Sequence, residues 1–77
     1  MMQRIIVVWS DENGTEQTVD GKLEDLSNGG MSIQVNAIIP TDTRLMARTP
    51  LGHFSGTVVR SRRVGQGCVL GVKRDVG

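Results

Sequence analysis

The sequence predicts an all-β fold, a small six-stranded antiparallel barrel with little or no helix, and three observations carry that expectation. Apolar residues alternate with polar ones or gather in short β-branched runs such as Ile5-Ile6-Val7-Val8, a pattern that suits a pleated strand. Ten glycines and two prolines punctuate the chain at short intervals, which holds each element to strand length. No window sustains apolar residues at helical spacing for long enough to cover a helix face. Short strands joined by hairpin-like turns avoid exposed edges best by closing on themselves.

The first strand is expected from about Gln3 to Ser10, with Ile5, Val7 and Trp9 on one face and Ile6 and Val8 on the other. Both faces are apolar, and no helix is available to cover the second. Ile6 and Val8 are therefore expected to meet a second copy of the chain or a partner protein. Asn13-Gly14 then supplies the positive φ of a tight hairpin. A second strand follows from about Gln17 to Glu24, with Val19, Gly21 and Leu23 opposite a polar face. After a turn over Asp25-Leu26-Ser27-Asn28-Gly29-Gly30, Met31, Ile33 and Val35 alternate with polar residues in a third strand.

Pro40-Thr41-Asp42 breaks the run, and a fourth strand from about Thr43 to Arg48 sets Leu45 and Ala47 opposite Met46 and Arg48. Pro50-Leu51-Gly52 turns into a longer fifth strand, roughly His53 to Arg62, with Phe54 and Val58 inward and Val59 outward. The sixth runs from about Gly67 to Arg74 with Cys68, Leu70 and Val72 together on one face.

Size and charge narrow the function. Seventy-seven residues make a single domain, taken as 1–77, near the lower limit for a self-sufficient core. So short a chain offers little room for the deep cleft of a typical enzyme, and a non-enzymatic binding module is the expectation. Nine Lys/Arg against eight Asp/Glu give a net charge of +1, so no global field draws a polyanion or an anionic membrane. One cysteine excludes an internal disulfide, and the apolar run near the N-terminus is too short for a leader or a membrane span. A cytoplasmic location is expected.

Candidate chemistry concentrates in Asp25-Leu26-Ser27-Asn28-Gly29-Gly30. The carboxylate of Asp25 can accept from two adjacent N–H donors at once, as a guanine Watson–Crick edge presents them. Ser27 adds a hydroxyl, and Gly30 permits a backbone conformation and an approach distance that a side chain blocks. The same six residues also read as an ordinary turn, because Asp, Ser and Asn-Gly favour turns on their own account.

The hexapeptide fits D-x-S-x-x-G, and its place between the second and third strands resembles the PilZ domain, a bacterial receptor module for cyclic di-GMP. Gly56-Thr57-Val58-Val59-Arg60 is similar to that family's G-x-V-V-R strand, and Gly67-Cys68-Val69-Leu70-Gly71-Val72 to its closing strand. The resemblance implies a PilZ-like split barrel in which Asp25, Ser27 and Gly30 hold guanine. It also implies an R-x-x-x-R segment before the first strand that clamps the phosphates. Arg4 matches the second arginine of that segment, and the position four residues earlier precedes Met1. Absence of one or both arginines is expected to weaken affinity roughly 10- to 1000-fold.

Other features carry less. Arg60, Arg62 and Arg63 form the only basic cluster, expected either as auxiliary cations beside Asp25 or as a solvated hairpin. Gly65-x-Gly67 is too short for a dinucleotide fingerprint. His53 has no ligand-spaced partner, so no metal site and no cofactor are expected, and a lone histidine supports no Ser/His/acid triad. Cys68 reads as a small core residue. Trp9 and Phe54, the only aromatics, are assigned to the core, which argues against a nucleic-acid barrel. Three readings stand: a cyclic di-GMP-binding signalling module, a PilZ-like protein-interaction adaptor that does not bind nucleotide, and, ranked last, a small nucleic-acid-binding barrel.

Overall fold

The computed structural model describes residues 2–75. Six strands form in chain order: β1 (Gln3–Ser10), β2 (Glu16–Leu26), β3 (Gly30–Val35), β4 (Arg44–Thr49), β5 (Gly52–Val64) and β6 (Gly67–Arg74). Among the described residues there is no helix. The strands close into an antiparallel barrel in the order β1-β2-β3-β6-β5-β4. Two three-stranded meanders, β1-β2-β3 and β4-β5-β6, are thus sealed by β3 against β6 and β1 against β4. Every strand is thus paired on both sides over part of its length.

Local chemistry explains the turns. At the β1–β2 hairpin Gly14 takes φ +78°, and its N–H donates to the Asp11 carbonyl at 3.0 Å. The Asp11 carboxylate accepts from the backbone N–H groups of Asn13 and Thr15 at 2.9 and 3.0 Å and from the Gln17 amide at 3.0 Å. The Thr15 contact foremost holds the Asp11 carboxyl below the usual carboxylate range. Gly65 at φ +59° serves the β5–β6 hairpin.

Alternation fills the barrel. Ile5, Val7, Leu23, Ile33, Val35, Leu45, Ala47, Val58, Cys68, Leu70 and Val72 are all buried, while Trp9 and Phe54 pack partly exposed against them. Ile39 is also fully buried, although it lies in the connection between β3 and β4. Its carbonyl accepts from the Ser61 hydroxyl at 2.8 Å, so this loop plugs the barrel. Next to it Ile38 stays exposed.

Strand ends differ slightly from the sequence expectation. β2 continues through Asp25 and Leu26, so the turn itself is only 27–29. Strands β4 and β5 end at Thr49 and Val64, one and two residues beyond the expected limits.

Two irregularities matter more. In β2, Leu23 pairs with Ile33 and Asp25 with the adjacent Ser32, so Glu24 is one residue extra. In β5, Val58 pairs with Val72 and Arg60 with the adjacent Gly71, so Val59 is extra. Each bulge reverses the inward–outward alternation beyond it. Without them Asp25 would share the inward face of Leu23, and Arg60 that of Val58.

Candidate functional site

Both bulges fall in one cross-barrel row. Asp25 pairs with Ser32, Ser32 with Gly71, and Gly71 with Arg60. Bulges re-aim side chains, and here they turn a carboxylate and a guanidinium to the outer face at the two ends of the same row. Asp25 and Arg60 are exposed and line a common groove of about 410 Å³. Its other lining residues include Ser27, Gly30, Ser32, Val59 and Lys73.

Glycines lower the floor. A Cβ on Gly71 would stand 3.2 Å from the Arg60 Cβ, and one on Gly30 would stand 3.2 Å from the Val72 carbonyl oxygen. Gly30 does not take a positive φ. Its value lies in the close approach of β3 to β6, while the special conformation expected of it is not used. Lys73, paired with Gly30, contributes a second cation to the groove.

Ser27 serves the turn. Its hydroxyl accepts from the Gly30 N–H at 3.2 Å and donates to the Gly30 carbonyl at 3.4 Å, while its own N–H donates to that carbonyl at 2.9 Å. Arg74 ties the turn to the end of β6: its N–H donates to the Gly29 carbonyl at 3.1 Å and its guanidinium to the Ser27 carbonyl. That guanidinium also lies 4.5 Å from the centroid of the Phe54 ring, a cation–π contact. The Asp25 carboxylate, in contrast, has no hydrogen-bond or ion-pair partner among the described residues; the one salt bridge there joins Arg44 to Asp75 and holds the Arg44 guanidinium above its usual value.

Arg4 is not in this groove. It pairs with Lys22 on the outer face and lines a second groove of about 300 Å³ with Lys22, Gln34, Asn36 and Gln66. Arg62 shares the outer face with Arg60, since their partners Val69 and Gly71 lie two apart on β6, whereas Arg63 pairs with the inward Cys68. The basic cluster is thereby divided, and Arg60 alone of the three reaches the Asp25 groove.

On β1, Ile6 is 39% exposed and Val8 is half-buried. Sequence reasoning missed Lys73 and Arg74, whose closeness to the turn depends on the non-local β3–β6 pairing. Among the described residues no cluster of His, Cys, Asp and Glu gathers to hold a metal, His53 is exposed, and no helix is long and apolar enough to cross a membrane.

A family model described as PilZ domain matches residues 4–76, nearly the whole chain. No curated protein and no solved structure matches it.

Proposed function

The chain belongs to the PilZ domain family, and on that premise we propose that it is a cyclic di-GMP-binding signalling module of the cytoplasm, with no catalytic role. One observation supports the reading above the others. Two strand bulges in a single row direct Asp25 and Arg60 onto one groove with a glycine floor. In this reading Asp25 accepts the two N–H groups of a guanine edge, the floor at Gly30 and Gly71 admits the purine, and Arg60 and Lys73 face the phosphates. Ser27 shapes the turn and keeps acceptor capacity toward the ligand. Arg4 meets the ligand from the neighbouring groove.

Titration of cyclic di-GMP into isotope-labelled protein tests this directly. Backbone resonances of Asp25, Ser27, Gly30 and Gly71 are expected to shift together and saturate. No shift there at millimolar ligand sinks the reading.

A second reading, a protein-interaction adaptor working through β1, is favoured by the exposure of Ile6 on a closed barrel whose other first-strand face is filled. Cross-strand neighbours Asp20 and Arg48 flank Ile6, an apolar centre with a charged rim. Light scattering decides it for self-association: a mass above the monomer that Ile6→Lys reduces supports the reading, and a strict monomer at high concentration removes it. No specific observation favours the nucleic-acid reading: Arg60 and Arg62 share the outer face of β5, while Arg63, although exposed, pairs with the inward Cys68.

A further inference from the structure

We infer that the groove of Arg4 and Lys22 is a second recognition subsite, taking a phosphate between the two cations and the attached purine on three carboxamides. The inference rests on the cyclic di-GMP reading and extends it to residues on the other side of the β2–β3 face.

Register gives the first reason. Arg4 and Lys22 stand directly opposite each other on β1 and β2, with both side chains exposed on the outer face. Like charges so placed repel. Relief normally comes from a carboxylate, yet among the described residues neither cation forms an ion pair, and Asp20, which lines the same groove, forms none either. The groove thus keeps an excess positive charge that an anion would neutralise.

Chemistry of the walls gives the second. Gln34 pairs with Lys22, placing its carboxamide next in the row, while Asn36 and Gln66 line the same groove. None of these three side chains makes a hydrogen bond to a described residue. Each carboxamide offers two donors and an acceptor carbonyl, a set suited to the mixed edge of a purine and superfluous for a bare inorganic anion. The wall is held close by Gly67, where a Cβ would fall 2.0 Å from the Val35 carbonyl oxygen. That approach sets the Gln66 turn against the end of β3.

Continuity with the Asp25 groove gives the third. Ser32 lines one groove and Gln34 the other, two residues apart on one face of β3, or about 7 Å. In this arrangement a cyclic dinucleotide with one base at Asp25 turns one phosphate to Arg60 and Lys73 and carries its other nucleotide over Gln34, with the second phosphate above Lys22.

The test compares wild type with Lys22→Gln and Gln34→Ala, using cyclic di-GMP and, separately, inorganic pyrophosphate as probes in nitrogen-15 spectra. Trp9 fluorescence during thermal unfolding checks that each variant folds as the wild type does. For cyclic di-GMP, Lys22→Gln is expected to raise Kd about tenfold, the loss of one charge-assisted contact at an open site, while Asp25 and Gly30 still shift at saturation. Pyrophosphate is expected to move Arg4, Lys22 and Gln34 in the wild type and to lose that effect in Lys22→Gln. Unchanged Kd in both variants, with Asp25 still responding, overturns this subsite and leaves the function standing. No response to cyclic di-GMP anywhere removes the functional reading; with pyrophosphate still moving Arg4 and Lys22, the anion groove is upheld on its own. Silence toward both probes overturns the subsite as well.

Discussion

Replacing Asp25 separates a recognition role from a structural one, because the residue has no partner to lose. The residue is exposed, and its carboxylate forms no hydrogen bond or ion pair among the described residues. A surface substitution of that kind changes stability by no more than about 0.5 kcal/mol, so Asp25→Ala should move Tm by less than about 4 °C in a domain of this size. Binding should respond far more. A guanine edge on the carboxylate makes two charge-assisted hydrogen bonds, and in an open groove their combined loss is about 2 to 3 kcal/mol, or roughly 30- to 150-fold in Kd. Asp25→Asn should recover little of this, since one acceptor becomes an NH₂ donor facing a donor on the base. Arg60 and Lys73 remain in both variants, so attraction to phosphate persists while preference for guanine over adenine collapses. Calorimetry with cyclic di-GMP and cyclic di-AMP measures both quantities, and thermal unfolding measures the control. Equal affinity in wild type and Asp25→Ala refutes the argument. A fall in Tm of about 8 °C or more refutes it differently, by showing that Asp25 holds the turn.

Three further outcomes follow from the geometry. Gly67→Ala forces a Cβ to 2.0 Å from the Val35 carbonyl oxygen and 3.0 Å from the Asn36 Cα, so paired backbones must part. A loss of about 2 to 3 kcal/mol, or about 10 to 20 °C in Tm, is expected by calorimetry, whereas Gly29→Ala, with nothing within 4 Å, should change little. Ser27→Ala removes the acceptor for the Gly30 N–H and should cost about 1 kcal/mol, read as faster amide exchange at Gly30. Asp11 has its carboxyl lowered by the Thr15 N–H above all, so its folded pKa lies below the unfolded one. That stabilisation is fully present above the unfolded value near pH 4 and is lost as pH falls through the lower folded value. Asp11→Asn should therefore flatten the acid limb of urea midpoints followed by Trp9 fluorescence.

Much of the barrel is legible locally. The limits of β1 and β6 agree with the sequence expectation, because Asn13-Gly14 and Gly65-Gln66-Gly67 bracket them with residues able to take positive φ. Core faces follow from alternation alone, as Ile33 with Val35 and Leu70 with Val72 show. What alternation cannot supply is who pairs with whom across the chain. The β3–β6 and β1–β4 seams join strands distant in sequence, and register between such strands depends on burial of whole faces. Ile39 escaped for a related reason. An Ile38-Ile39 pair just before a proline reads as loop, and only closure of the barrel gives Ile39 a cavity to fill.

The bulges leave a trace in the sequence. Leu23 and Leu26 both face the core, three residues apart where a regular strand allows two or four, and Arg60 stands at the parity of Val58. Each irregularity interrupts a ladder, and the second leaves Val59 57% exposed. Glycines at Gly30 and Gly71 weaken the strands they interrupt, yet a Cβ at either would stand only 3.2 Å from its neighbour. Natural sequences break local rules of this kind where a site requires it. Here the departures converge on the Asp25–Ser32–Gly71–Arg60 row, although each also serves the core: the first turns Leu26 inward and the second turns Ser61 toward the Ile39 carbonyl. What those core contacts leave unexplained is that both re-aimed charges, Asp25 and Arg60, stand in one groove, and the cyclic di-GMP reading proposed above supplies a reason.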